Sequence, residues 1–185
     1  IHVDDGFYIH STSSRIDDRT RVLKQGDTFA VFDRFGDIEL FGTGELGLFH
    51  HDTRYLSSLT LKLGNERPLL LSSTIKDDNA MLAVDAMNAD IQIGESVAIP
   101  RGSLHIFRGK FLWNGTCYER IRIHNYAGRE VILTLQLQFD SDFADMFEVR
   151  GTQRTRRGQR RPATVGPASV SLIYDGLDGC TRCTH

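Results

Sequence analysis

The chain has 185 residues, 22 Lys and Arg against 24 Asp and Glu, a formal charge of −2 and 40% hydrophobic residues. Near-neutrality leaves no one-signed field to gather nucleic acid or an anionic membrane, and no apolar run approaches the roughly 20 residues that cross a bilayer. A chain of this size buries about 70% of its unfolded surface, so it needs neither a disulfide nor a metal to fold.

Residues 1–26 read as a lead-in. IHVDDGFYIH has no basic start and no apolar segment, so it is not a secretion signal. From Asp27 onward the dominant period is two. FAVFD and DIELF flank Arg34-Phe35-Gly36 and predict a hairpin. GTGELG, residues 42–47, is glycine-rich but opens no helix, which argues against a nucleotide site. Leu59, Leu61 and Leu63 alternate with Thr60 and Lys62; GNERP then supplies a turn, and Leu69 to Ser72 begins a return strand. AMLAVDAM and Leu104 to Trp113 follow as strands. YERIRIH, the NYAGR link and VILTLQLQF predict another hairpin, with Val131, Leu133, Leu135, Leu137 and Phe139 on its buried face. DSDFADMFEV has the i, i+3, i+4 spacing of a helix, but only over one turn. RGTQRTRRGQRRP, with six arginines, reads as a solvated connection. VSLIY is a last strand. Short strands between Gly, Asn, Asp and Pro clusters predict an all-β chain folded as an antiparallel β-sandwich.

Four groups of residues invite a chemical reading. LFHHDTRYLSSL, residues 48–59, collects two histidines, an acid and an arginine. Neighbours in a strand point to opposite faces, so His50 and His51 make a poor metal pair; Asp52, Thr53 and Arg54 read as a polar clasp where a loop enters a strand. Asp140, Asp142, Asp145 and Glu148 are the residue type of glycoside hydrolysis, yet the sequence does not show two of them converging. Trp113, Tyr118, Tyr126 and Phe35 are candidates for a sugar platform, against the usual core role of large aromatics. Cys180, Cys183 and His185 supply three zinc-type ligands where a structural site needs four. The three cysteines, Cys117, Cys180 and Cys183, read instead as reduced thiols of a cytoplasmic protein. Neither a metal nor a cofactor is expected.

DTFAVFDRFGDI, GLFHHDTRYLSSLTLKLGNERPLLLSS, DNAMLAVDAMNADI, IPRGSLHIFRGKFLWNGTCYERIRIHNY, FDSDFADMFEVRG and YDGLDG occur in this order. Together they closely resemble the N-terminal domain of bacterial glycogen-debranching-enzyme-like proteins of the amylo-α-1,6-glucosidase type. The resemblance implies a supersandwich-like β domain over 27–179, preceding an (α/α)6 catalytic domain that holds the acid and base. No catalytic residue is therefore assigned to this chain. Asp52, Thr53, Arg54, Asp142, Asp145 and Glu148 are the residues expected at the domain interface or substrate cleft. The partner is expected to be that catalytic domain, with α-glucan a further candidate. The start without Met and the end at CTRCTH read as those of a fragment, with 180–185 a truncated tail. The rival readings are a free-standing carbohydrate-binding module working through Trp113 or Tyr126, and a hydrolase using Asp142 and Glu148.

Overall fold

The computed structural model describes residues 20–39, 44–76, 78–93 and 96–185, with Ile93 described by its backbone alone. The lead-in up to residue 19, the end of DIELF at Leu40 and Phe41, and Gly42 and Thr43 of the glycine-rich stretch lie outside these residues.

Alternation dictates the outcome: an antiparallel sheet with one dry face. The first sheet has the order β1 (Arg21–Gln25), β2 (Thr28–Phe32), β3 (Gly47–His50), β4 (Thr53–Leu56). A second pairs β5 (Ser58–Leu63) with β12 (Leu135–Asp140). The third is built from β6 (Leu69–Ile75), β7 (Met81–Met87), β10 (Leu104–Trp113) and β11 (Thr116–Asn125), in the order β11-β10-β7-β6. β8 (Ile91–Ile93) and β9 (Ser96–Ile99) form a small ribbon. After the single turn α1 (Met146–Val149), a last sheet carries β13 (Gln159–Arg160), β14 (Thr164–Val165), β15 (Val170–Asp175) and β16 (Thr181–Thr184).

The sandwich is closed by two apolar layers. Leu23, Ala30 and Phe32 of the first sheet meet Leu82, Val84 and Leu112 of the third. Leu61 and Leu63 of β5 meet Ala86, Leu104 and Ile106, with Ile99 of β9. A third, smaller cluster joins Phe143, Leu172 and Tyr174 to Tyr55. The all-β sandwich read from the sequence is the fold observed. Residues 180–185, read as a tail, carry β16, which pairs with β15.

Three predicted pairings are corrected. β11 does not turn back onto Val131–Phe139; it pairs with β10 across Asn114-Gly115. Both turn residues have positive φ, 47° and 73°, the type I′ geometry whose twist matches a hairpin and which Asn-Gly adopts readily. NYAGR instead carries the chain from the third sheet to the second, and β12 begins only at Leu135 and pairs with β5. Leu135, Leu137 and Phe139 lie in register with Leu63, Leu61 and Leu59, yet stay 43, 45 and 41% exposed. They sit on the outer strand of a two-stranded sheet, where one neighbour covers only part of each side chain. Likewise β5 and β6 are not partners: GNERP moves the chain between sheets, and β6 pairs with β7. The described part of DIELF, Asp37 to Glu39, does not pair with β2; Ile38 bridges Leu59 of β5, and the strand that returns along β2 is β3.

Candidate functional site

His51 and Asp52 form the two-residue turn of the β3–β4 hairpin, with φ of 42° and 61°. His51 is thus a turn residue rather than a strand neighbour of His50, and the two rings meet edge to face at 4.1 Å. This hairpin tip is joined to the segment around α1. The Asp52 carbonyl accepts from the Met146 N–H at 3.0 Å, Thr53 bridges Asp145, and the Arg54 N–H donates to the Ala144 carbonyl at 2.8 Å. Two motifs far apart in sequence are one structural unit.

Arg54 is the centre of that unit. It is 6% exposed, and its guanidinium fork grips the Asp142 carboxylate, Nε to Oδ1 at 3.1 Å and Nη2 to Oδ2, across 88 residues of sequence. Its Nη1 donates to the carbonyls of Gly44 at 2.7 Å and Leu46 at 3.2 Å. The partner of Arg54 is thus not its sequence neighbour Asp52 but Asp142. Gly47 makes room for the side chain, since a Cβ there would stand 2.5 Å from Arg54 Cδ and 3.0 Å from the Leu56 carbonyl.

The segment after Asp142 has an equally specific build. Phe143 adopts φ of 52°, rare for a bulky residue, while its ring stacks on Tyr174 at 5.5 Å and meets Tyr55 edge-on. Asp145 caps α1: its Oδ1 accepts from the N–H groups of Phe147 and Glu148, and Glu148 Oε2 accepts from the Asp145 N–H. This reciprocal capping box satisfies donors that a helix start leaves free. The Thr152 N–H returns to the Phe147 carbonyl and the Gly151 N–H to that of Glu148, a Schellman ending. Slight burial pushes the Asp145 pKa up, but the N–H groups of Glu148 and Phe147 and the Arg154 guanidinium outweigh it and hold it low.

The arginine-rich stretch is solvated, as expected, but it is also paired. Arg154 binds Asp145, Arg157 binds Glu148 at 3.0 Å, Arg160 binds Asp140 and Arg161 binds Asp175 at 2.7 Å. Thr53, Asp145, Glu148, Arg154, Arg157 and Arg182 share one polar hollow of about 380 Å³. All six residues expected at an interface or cleft therefore lie in this one region. The acids among them are engaged: Asp142 by Arg54, Asp145 and Glu148 by backbone N–H groups and arginines. Asp52 contributes its carbonyl.

Sequence reasoning missed a second constellation, inside the sandwich. Arg108 and Lys110 of β10 point inward and are 2 and 0% exposed. Glu119 of β11 receives Arg108 Nε at 2.6 Å and Lys110 Nζ at 2.5 Å. Arg108 also binds Asp37, and Arg67 reaches Asp33, Asp37 and Glu39. Burial would raise the Glu119 pKa; Lys110 and Arg108 reverse this and lower it. Burial, with repulsion from Arg108, lowers that of Lys110, and burial raises that of Cys117. Alternation in LHIFRGKFLW places both cations on the dry face with Leu104, Ile106 and Leu112, which is the signal that marks them. Lys110, Cys117 and Glu119 also border an inter-sheet cleft of about 700 Å³ lined by His50, Phe139 and Thr184. His50 Nδ1 is hydrogen-bonded to Thr28 Oγ1 at 2.8 Å. Among the described residues no three His, Cys, Asp or Glu side chains gather as metal ligands.

The aromatics are not core. Trp113 and Tyr126 are 63 and 66% exposed, and Tyr118 is exposed as well. They do not form one platform: Trp113 adjoins the β10–β11 turn and Tyr126 follows the far end of β11, about 30 Å away at strand spacing. Phe35 lies beneath the Arg67 guanidinium, 4.0 Å from its ring centre.

A family model described as the N-terminal domain of some glycogen debranching enzymes matches residues 23–185. Neither the curated proteins nor the solved structures include a match.

Proposed function

The chain belongs to the family of N-terminal domains of glycogen debranching enzymes, and from that membership we propose that it performs no catalysis itself. In this reading the β-sandwich, from β1 at Arg21 to β16 at Thr184, packs against an (α/α)6 catalytic domain of an amylo-α-1,6-glucosidase-type parent and helps shape its α-glucan cleft. The supporting observation is the state of the acids. Asp142 is held in the fork of Arg54, and Glu148 is shared between the Asp145 N–H and Arg157. A hydrolase needs one carboxyl poised to give a proton and another facing the sugar or a water; these carboxylates are committed to holding the chain. Three free thiols suit a reducing compartment, so the proposed location is the cytoplasm.

The test compares the 185-residue chain with its parent enzyme on an α-1,6-branched glucan. The isolated chain should release no sugar even at high concentration, and turnover by it would overturn the reading. In the parent, Arg54→Ala should lower activity or stability by loosening the unit that joins the hairpin tip to α1. A second reading, a carbohydrate-binding module, draws on the exposure of Trp113 and Tyr126. It requires calorimetric heat on titrating the isolated chain with maltooligosaccharides.

A further inference from the structure

The outer face of the third sheet is unusual for a face turned to water. Register places Phe107, Phe111 and Trp113 of β10 on it, beside Met81 and Met87 of β7 and Tyr118 of β11. Phe111, Trp113 and Tyr118 stay 44, 63 and 45% exposed. The β11 side of the face carries Arg120 and Arg122, with Arg122 over the Phe107 ring at 5.3 Å. The outward positions of β7, β10 and β11 hold neither lysine nor glutamate. Their acid, Asp85, is bound by His105 at 3.0 Å and by Ser72 at 3.1 Å. Aromatics, Met and Arg enriched, with Lys, Glu and Asp scarce, is the composition of protein–protein interfaces.

We propose that this face, and not the polar hollow around α1, is the surface through which the domain docks on its catalytic domain, against an apolar patch rimmed by Asp and Glu. The proposal rests on the reading that such a domain is its partner. Charge selects the occupant. A second copy docked by a two-fold axis through this face would bring four arginines, two Arg120 and two Arg122, into one interface whose acid, Asp85, is already bound by His105 and Ser72. An acidic rim would instead neutralise them and leave the aromatics as buried anchors. A sugar fits less well. Phe111 and Tyr118 stack on each other at 5.0 Å and 10°, so each covers one face of the other. Side chains standing up from a sheet then present mainly ring edges.

Hydroxyl-radical footprinting reads these side chains directly, in the 185-residue chain and in the parent enzyme. Trp113, Tyr118 and Met81 should oxidise readily in the isolated chain and severalfold more slowly in the enzyme. Arg120→Glu with Arg122→Glu should restore their oxidation in the enzyme. Equal oxidation in both proteins, with exposed Phe147 of α1 protected instead, would overturn this face while leaving the docking reading intact. No protection anywhere on the domain would overturn both. Protection that appears only when maltooligosaccharide is added would make the face a sugar platform and end the proposal.

Discussion

Arg54 shows how much one side chain can hold. Its fork fixes Asp142, its remaining nitrogen ties down the Gly44 and Leu46 carbonyls, and its backbone N–H docks on Ala144. Lysine keeps the charge and loses the planar fork. Arg54→Lys should therefore cost about 1–3 kcal/mol, because the Asp142 carboxylate loses its fork and two half-buried carbonyls lose their donor. Urea unfolding reads this as a lower midpoint at unchanged slope, and an unchanged midpoint would show that the fork is not what holds the unit. Gly47→Ala should cost a similar about 1–3 kcal/mol by overpacking. Its Cβ collides with Arg54 Cδ, so the two changes should couple: in an Arg54→Ala background the Gly47→Ala cost should fall, leaving the share due to the Leu56 carbonyl. The polar entry to the strand that carries Arg54 was legible in the sequence, and β4 does begin at Thr53, though Asp52 joins the unit through its carbonyl. The carboxylate partner of Arg54 was not, since a contact across 88 residues leaves no local trace.

At the scale of the element, turn chemistry decided which strands pair. VILTLQLQF and YERIRIH both alternate correctly, and alternation alone cannot say which stripe lies beside which. Asn114-Gly115 can, because it accepts positive φ at both turn positions and closes β10 onto β11 before the chain reaches NYAGR. The strand pattern was therefore readable from period two, while the pairing hung on a dipeptide in WNGT. A Cβ at Gly115 would meet nothing within 4 Å, so Gly115→Ala isolates the backbone term. At φ of 73° it should cost about 1–2 kcal/mol. The single turn of α1 was visible as a short spacing in DSDFADMFEV, but its stability comes from caps rather than length. Asp145→Ala removes one cap and the Arg154 partner together, and should cost about 1 kcal/mol. The readout is local: amide exchange should quicken at Phe147 and Glu148, whose N–H groups Asp145 accepts from, and hold steady in β10. Exchange unchanged at those two amides would mean that the box does not stabilise the turn.

At the scale of the whole molecule, the two main sheets are joined by charge as well as by grease. Asp37 follows β2 on one side, Arg108 and Lys110 lie on β10 on the other, and Glu119 of β11 neutralises both cations. Glu119→Gln would leave two buried cations short of a countercharge, and breaking a buried pair in this way costs about 3–5 kcal/mol. The pH dependence has a definite sign. The Glu119 pKa is lowered from 4.5, so below 4.5 the unfolded chain binds more protons than the folded one. Its contribution is complete above pH 4.5 and drains away as pH falls through the folded value. The Lys110 pKa is lowered from 10.5, so stability also rises with pH just below 10.5, as the folded amine sheds a proton that the unfolded chain keeps. In Glu119→Gln the amine loses its counter-ion and sheds that proton more readily. The loss caused by the substitution should therefore be largest near neutrality and shrink toward pH 10, where a neutral Lys110 no longer needs Glu119. Urea midpoints of parent and variant, taken from pH 4 to pH 10, measure this directly. Curves that stay parallel to the alkaline end would mean that Lys110 is not the cation Glu119 compensates.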